Sequence, residues 1–463
     1  MYMIDPSHPV HVYFVGIGGI SMSGLAQILR SRGFAVSGSD RSASAITDAL
    51  QADGIRVFIG QNADNITPDI DVAVFTAAIH PDNPEYTAIM EKGIPYLSRA
   101  ELLGQIMRSF GNPVAVSGTH GKTTTTSMLS VILMEADMDP TLSVGGILPQ
   151  IGGNCRAGHS DIFVAEACEY TNSFLSMFPR IGIILNIDMD HPDFFKDIDD
   201  IRRSFRRFAQ LIPEDGALII GSDIPDVDEI TQGLPCRIIT FGTASGSDYR
   251  LQDLQVNENG FPHCTVSSPG HPDEDLALSV PGFHNLSNAA AALAAADLLG
   301  VPRDAALRAL RGFSGSERRF QIMGTRNGFT VVDDYAHHPA EIAATLRAAA
   351  QYPHKKLYCV FQSHTYSRTK ALMDEFADAL LATDVLILAP IYPARETDDL
   401  GISAQTLQKA VEDRGHQCLY FPTFEEIEKY ILENCQKGDL LITMGAGDTV
   451  KIAQNLVSGA HEG

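Results

Sequence analysis

The stretch A-V-S-G-T-H-G-K-T-T-T-T-S-M-L, Ala115 to Leu129, decides how the chain is read. A standard phosphate-binding loop has the form G-x-x-x-x-G-K-[ST], with a glycine five places before the second one. Val116 holds that place, and the nearest upstream glycine is Gly118, so the loop is a clipped G-T-H-G-K-T. Its context is nevertheless that of a phosphate cradle. The apolar run P-V-A-V-S precedes it as a strand, and Met128, Leu129, Ile132 and Leu133 follow at helical spacing as one apolar face. Backbone N–H groups from Gly118, Thr119, His120, Gly121, Lys122 and Thr123 can wrap a triphosphate, with the Lys122 ammonium as a point charge. Thr123 or Thr124 offers a hydroxyl to Mg²⁺, a hard ion that takes oxygen ligands.

Working outward, I-F-V-A-E ends in Glu166, an acid at a strand end where a magnesium partner is expected. The run I-L-N-I-D-M-D-H-P-D brings Asp188, Asp190, His191 and Asp193 to another strand end, as a second metal or water-positioning site or as an acidic helix start. A hundred residues before the clipped loop stands F-V-G-I-G-G-I-S-M-S-G, Phe14 to Gly24. Gly16, Gly18 and Gly19 lie between a strand and a helix, and Asp40 closes the next strand. That is the setting of a dinucleotide fingerprint, but Ser21 holds the place of its third glycine. NAD-type binding, another diphosphate and a purely structural turn all stay open for it.

At 463 residues the chain calls for two to three domains. Strand-like and helical runs alternate almost throughout, which predicts α/β sheets. The expected order is a Rossmann-like N-terminal domain (1–111), a central P-loop ATPase-like α/β domain (112–315) with a strand-rich antiparallel flap between about Ala217 and Pro281, and a Rossmann-like C-terminal domain (316–463). The strands expected there include Asp71–Ile79, and A-A-A-A-L-A-A-A-D-L-L-G from Ala289 is expected as a buried helix. The formal charge of −23 argues against binding nucleic acid and against adsorption to anionic membranes. The first ten residues lack a secretory pattern, and no apolar run is long enough to span a bilayer. Seven cysteines without a C-x-x-C pair fit reduced thiols, and the chain is expected to be cytoplasmic.

Together, G-T-H-G-K-T-T-T-T-S-M-L, N-I-D-M-D-H-P-D, F-H-N-L-S-N-A-A-A-A-L-A-A-A, R-R-F and D-D-Y-A-H-H-P-A-E-I, in that order, resemble the Mur ligase superfamily. V-G-I-G-G-I-S-M-S-G-L-A, F-Q-S-H-T-Y-S-R-T and L-A-P-I-Y-P-A-R-E resemble its branch that couples L-alanine to UDP-N-acetylmuramate. The resemblance covers essentially the whole chain. It implies that Gly16, Gly18, Gly19, Ile20, Ser21 and Asp40 hold the UDP-sugar diphosphate, and that the clipped loop holds ATP. It implies two Mg²⁺ ions, with Thr123, Glu166 and His191 as ligands. Asn285 and Asn288 would meet adenine, and Arg319 and Asp334 the nucleotide. Tyr335, His337 and Arg368 would receive the amino acid, and Lys122, Glu166, His191 and His337 would carry catalysis. A monomer or homodimer is expected.

Two departures from the family pattern stand out. E-A-D-E-S-D-G-S-F reads E-A-C-E-Y-T-N-S-F here, which keeps Glu166 and Glu169 but puts Cys168 and Asn172 in place of two acids. R-Y-x-R reads T-Y-S-R, with Thr365 in place of an arginine. No carbamylated lysine is expected, because Lys196 stands too close to His191 to match the family's position. The alternative readings are the ligase that recycles a tripeptide onto the same sugar, and an NAD-dependent dehydrogenase. The dehydrogenase would leave Lys122 and its neighbours unused.

Overall fold

The computed structural model describes residues 2–76, 79–191, 194–394 and 396–459. The chain forms two compact units. One comprises residues 1–188, 198–249 and 291–309, and the other residues 189–197, 250–290 and 310–463.

The first unit opens with a five-stranded parallel sheet. Its order is Arg56–Ile59, Ala35–Asp40, His11–Val15, Val72–Phe75, Tyr96–Ser98. Val12 to Val15 are fully buried, as a parallel strand covered on both faces must be. The chain moves to one side of His11–Val15 and then to the other, so the carboxyl end of this strand is a topological switch point. The glycine turn begins there. The strand expected over Asp71–Ile79 runs only from Val72 to Phe75, and Ala77 and Ala78 of that span lie outside the described residues.

The unit's second layer centres on Asn112–Ser117, with Ile162–Glu166 on one side and Ile181–Ile184 on the other, all parallel. Thr141–Leu148 continues the first side, edged by antiparallel Gly153–Arg156. Ala217–Gly221 and Arg237–Gly242 continue the second side in parallel, which corrects the expectation that the region from Ala217 onward is antiparallel. The crossover between them holds only the five-residue helix Val227–Thr231, so the sequence between the two strands carries little helical signal. The clipped loop leaves Asn112–Ser117 at the second switch point and opens the helix Lys122–Glu135. That helix is not simply amphipathic, since Thr125, Thr126, Ser127 and Ser130 are buried along with Met128, Leu129, Ile132 and Leu133.

In the second unit Tyr249–Val256, Pro262–Ser267 and Glu274–Ala277 are antiparallel, as expected of the flap. A six-stranded sheet follows in the order Gln321–Arg326, Phe329–Asp334, Leu440–Met444, Leu357–Phe361, Val385–Leu388, Cys418–Tyr420, parallel except for its first strand. Alternation along Leu357–Phe361 sends Leu357, Cys359 and Phe361 into one core layer and Tyr358 and Val360 into the other. The alanine-rich helix His284–Leu298 is buried from Ala289 to Ala296. All seven cysteines are free thiols. Among the described residues no helix is long and apolar enough to cross a membrane.

Candidate active site

The glycine turn is built by its neighbours. Gly16, at φ +87°, and Ile17 both donate N–H bonds to Ser39 O, at 2.8 and 2.9 Å. Asp40 Oδ2 accepts from Gly18 N at 2.9 Å, and a Cβ at Gly18 would meet that carboxylate at 2.8 Å. Asp40 therefore pins the turn itself. Gly19 opens the helix Ile20–Ser31 with no side-chain cap, so no capping side chain satisfies the first-turn N–H groups, and such a helix terminus favours an anion. Arg99, which belongs to no motif of the sequence, donates from Nη1 to Ser21 Oγ at 3.1 Å. It is held at the first position of the helix Arg99–Met107 by the capping box of Ser98 and Glu101.

A cavity of about 220 Å³ runs from this turn to the end of Ile162–Glu166, with Ser21, Arg99, Gly145, Glu166 and Cys168 among its walls. Burial pushes the Cys168 thiol up, with Glu169 adding to the effect, so the thiol stays protonated and is no nucleophile.

The clipped loop is stitched to a neighbouring strand end. Thr119 N donates to Asn186 O at 3.1 Å and His120 N to Asn186 Oδ1 at 2.8 Å, while Asn186 Nδ2 returns a bond to His120 O at 3.0 Å. Asp188 N donates to Thr119 Oγ1 at 2.9 Å. Asn186 thus reads the loop backbone in both directions, replacing rigidity that a longer glycine loop would draw from its own turn. Gly118 has φ +138° and would press a Cβ on Leu185, and Gly121 caps the helix at φ +85°. Gly121→Ala must hold a left-handed backbone that costs an L-residue about 1–2 kcal/mol. Its expected effect is a fall in melting temperature of a few degrees together with a raised KM for ATP; an unchanged melting curve would contradict the strain argument.

Lys122 Nζ donates to Gly118 O (2.6 Å) and Thr119 O (3.0 Å) and pairs with both oxygens of Glu169 (2.9 and 3.2 Å). Burial is the largest single influence and pulls its pKa down, but the charge and hydrogen bond of Glu169, with smaller contributions from neighbours that include Glu166, together outweigh it, so the net shift is upward and the lysine stays charged. Glu166 Oε1 accepts from Gly145 N at 2.6 Å. A Cβ at Gly145 would collide with the Glu166 carboxylate, and one at Gly146 would meet Thr123 Cγ2 at 3.2 Å. The chain therefore passes these two oxygen-bearing side chains as bare backbone, leaving room that side chains would fill. A hydroxyl and a carboxylate beside that space fit a hard divalent cation. Thr124 follows Thr123 in the first turn of the same helix.

His191, the third expected ligand, belongs to the second unit, at φ +53°, with Nε2 3.6 Å from Asp190 Oδ2. Asp193 lies outside the described residues. Burial opposes ionisation of Asp190, but His191, His338 and Arg368 prevail and hold its carboxyl below the usual range. Arg368 Nη2 lies 3.7 Å from Asp190 Oδ1.

Asp334 is buried, accepting from Phe320 N and Ala336 N at 2.7 Å each. Desolvation pushes it up to about 6 against the pull of Arg319, while Glu341 adds to the rise. A carboxyl raised in the fold contributes stability that is full below its ordinary pKa and is lost as pH rises through the folded value. Relative to wild type, Asp334→Asn should therefore gain about 2 kcal/mol of stability between pH 4 and pH 7, read by urea unfolding at both. A constant difference between the two proteins would refute the shift.

The Arg319 guanidinium lies 5.4 Å from the Tyr335 ring centre. Arg318, missed from sequence, is the structural member of the pair: Nε donates to buried Asp333 at 2.9 Å and Nη2 to Gly445 O at 2.6 Å. The two adjacent histidines divide their roles. His338 caps the helix Pro339–Gln351 by accepting from Ala340 N, while His337 Nδ1 lies 3.0 Å from Tyr335 O and 3.3 Å from Glu341 Oε2. Burial lowers the His337 pKa and brings that of His364, a second unforeseen neighbour, to about 4. Their rings lie 5.8 Å apart, and both are neutral at pH 7. Asn285 and Asn288 are buried and bonded to each other, Nδ2 of Asn288 to Oδ1 of Asn285 at 3.0 Å, with Asn285 Nδ2 on Pro281 O at 2.7 Å.

Three family models match in sequence order. They are the Mur ligase family catalytic domain over residues 11–111, the Mur ligase middle domain over 116–296 and the Mur ligase glutamate ligase domain over 318–447. The chain belongs to the Mur ligase family. Among curated Mur ligases it is similar to the UDP-N-acetylmuramate–L-alanine ligase of Lachnospira eligens, 56% identical over 460 residues that span 99% of this chain and all of that one. The enzyme of the same name from Agathobacter rectalis is 54% identical over 457 residues, again 99% of this chain and all of that one. Among solved Mur ligase structures, UDP-N-acetylmuramate-alanine ligase of Thermotoga maritima superposes with a TM-score of 0.81 at 28% identity, covering 97% of this chain and 99% of that one. A murein peptide ligase of Psychrobacter arcticus shares the fold, with a TM-score of 0.72 at 24% identity over 98% and 99% of the two chains.

Proposed function

We propose that the protein is an ATP-dependent ligase that joins L-alanine to the lactyl carboxylate of UDP-N-acetylmuramate in peptidoglycan precursor synthesis. The observation that carries this is the cavity joining the glycine turn at Ser21 to Glu166 in the same unit as Lys122. Two phosphate cradles then serve two phosphate-bearing substrates. The whole-length similarity to curated L-alanine ligases supports the choice of amino acid.

In the reaction, the γ-phosphoryl group of ATP passes to a lactyl carboxylate oxygen, giving an acyl phosphate and ADP. The amine of L-alanine attacks the acyl carbon, a C–N bond forms, the C–O bond to phosphate breaks, and the ammonium's protons leave. Phosphoryl transfer needs positioning and charge neutralisation more than covalent help. The loop N–H groups from Gly121 to Thr124 and the Lys122 ammonium orient the phosphates, while those of Thr119 and His120 are held by Asn186 and brace the loop that Gly118 opens. The turn from Gly16 to Ser21, with Asp40 bracing it and Arg99 beside it, receives the diphosphate of the sugar nucleotide. Thr123, Glu166 and His191 are the residues that would hold Mg²⁺, whose charge lowers the cost of bringing two anions together. Asn285, Asn288, Arg319 and Asp334 are assigned to the nucleotide. Arg368 offers a planar fork for the alanine carboxylate, with Tyr335 and neutral His337 beside the amine. Domain limits of 1–111, 112–315 and 316–463 and a cytoplasmic location fit this reading.

The test is mass spectrometry of the product from ATP, Mg²⁺ and UDP-N-acetylmuramate offered L-alanine and the L-alanyl-γ-D-glutamyl-diaminopimelate tripeptide together. The alanine adduct alone is expected. The tripeptide adduct alone would move the assignment to the recycling ligase.

A further inference from the structure

An ammonium group has three N–H donors, and those of Lys122 are all engaged. They go to Gly118 O at 2.6 Å, to Thr119 O at 3.0 Å, and to the Glu169 carboxylate at 2.9 and 3.2 Å from its two oxygens. A bond from Lys122 to a phosphate oxygen therefore requires one of the three to be given up. The two carbonyls lie three and four residues back in the loop that carries the lysine, and they travel with it. The carboxylate comes from a different segment, and it is the one anion of the set. It is also deeply buried, at 2% exposure, so its charge is weakly screened.

We propose that Glu169 is a resident anion on Lys122, holding the position that a nucleotide phosphate takes, so that nucleotide binding exchanges one anion for another on that lysine. The proposal rests on the ATP reading above and adds a role for a residue which that reading does not use. Its consequence is selectivity for the form of the nucleotide. Bare ATP brings three to four negative charges toward a buried carboxylate and is opposed by like charge. ATP accompanied by a divalent cation brings its own compensation and is opposed much less. Glu169 thus acts as a positioning residue that favours the cation-bound nucleotide over the bare one.

Titration calorimetry on the full chain separates this from a merely structural tie, using ATP in EDTA and ATP with Mg²⁺ as the two probes. Glu169→Gln keeps an acceptor beside Lys122 and removes the charge. It is expected to bind metal-free ATP about tenfold more tightly than wild type, while affinity for ATP with Mg²⁺ changes by less than about threefold. A purely structural partner would leave both affinities unchanged or weaken both, and either result overturns the proposal. Glu169→Asp withdraws the carboxylate by one methylene, should tighten metal-free ATP about threefold, and decides the matter if the glutamine variant gives no cooperative melt. A wild-type chain that binds neither form of ATP would overturn the ATP reading and the exchange with it, a different signature from failure in the variants alone.

Discussion

Lys122→Ala is expected to lower kcat/KM for ATP about a thousandfold and to destabilise the fold at the same time. The catalytic loss follows from removing a preorganised charge aimed at phosphate oxygens, where a single lost donor already costs 10²–10³. The stability loss has a separate cause. Glu169 is buried and pairs with Lys122 through both oxygens, so truncating the lysine takes away the ammonium that both oxygens share. Breaking a buried pair from one side costs about 3–5 kcal/mol. The double variant Lys122→Ala, Glu169→Gln should recover most of the lost melting temperature and none of the lost activity. A Lys122→Ala protein that melts like wild type would mean that the ion pair contributes little. One that turns over like wild type would remove the lysine from the chemistry.

Glu166→Gln should reduce turnover by a similar order, about 10²–10³-fold, but with a different signature. Glutamine can keep the acceptor that Gly145 N uses, so the strand end and the melting temperature should change little. What it loses is the charged oxygen donor beside Thr123, and hard cations favour carboxylate oxygen. The Mg²⁺ concentration for half-maximal rate should rise at least tenfold, measured as a titration of initial rate at saturating ATP. A fall in rate at an unchanged Mg²⁺ requirement would take Glu166 out of the metal site.

The sequence carried the elements whose signals are local. Ala115–Leu129 reads as strand, loop and helix because apolar runs and glycines bracket it, and the turn at Gly16 reads the same way. Asp40, Glu166 and Asp334 are legible because strand ends are where α/β sheets present polar groups. What the sequence hid is tertiary. Asn186 clamps His120 across 66 residues, Glu169 meets Lys122 across 47, and Arg99 reaches Ser21 across 78. No periodicity records such partners. His364 was hidden for another reason: its depressed pKa comes from burial beside His337 and Arg368, and neither exists until the strands assemble. The region from Ala217 departs from the antiparallel expectation because Ala217–Gly221 and Arg237–Gly242 take their direction from Ile181–Ile184, a strand more than thirty residues upstream.

The most direct measurement of the central claim is phosphate release from ATP with Mg²⁺ and UDP-N-acetylmuramate, with and without L-alanine, alongside Lys122→Ala. Release that requires both the sugar nucleotide and the amino acid, and that is lost in the variant, is the predicted result. Release from ATP alone at the same rate, or none with any combination of these substrates, would contradict it.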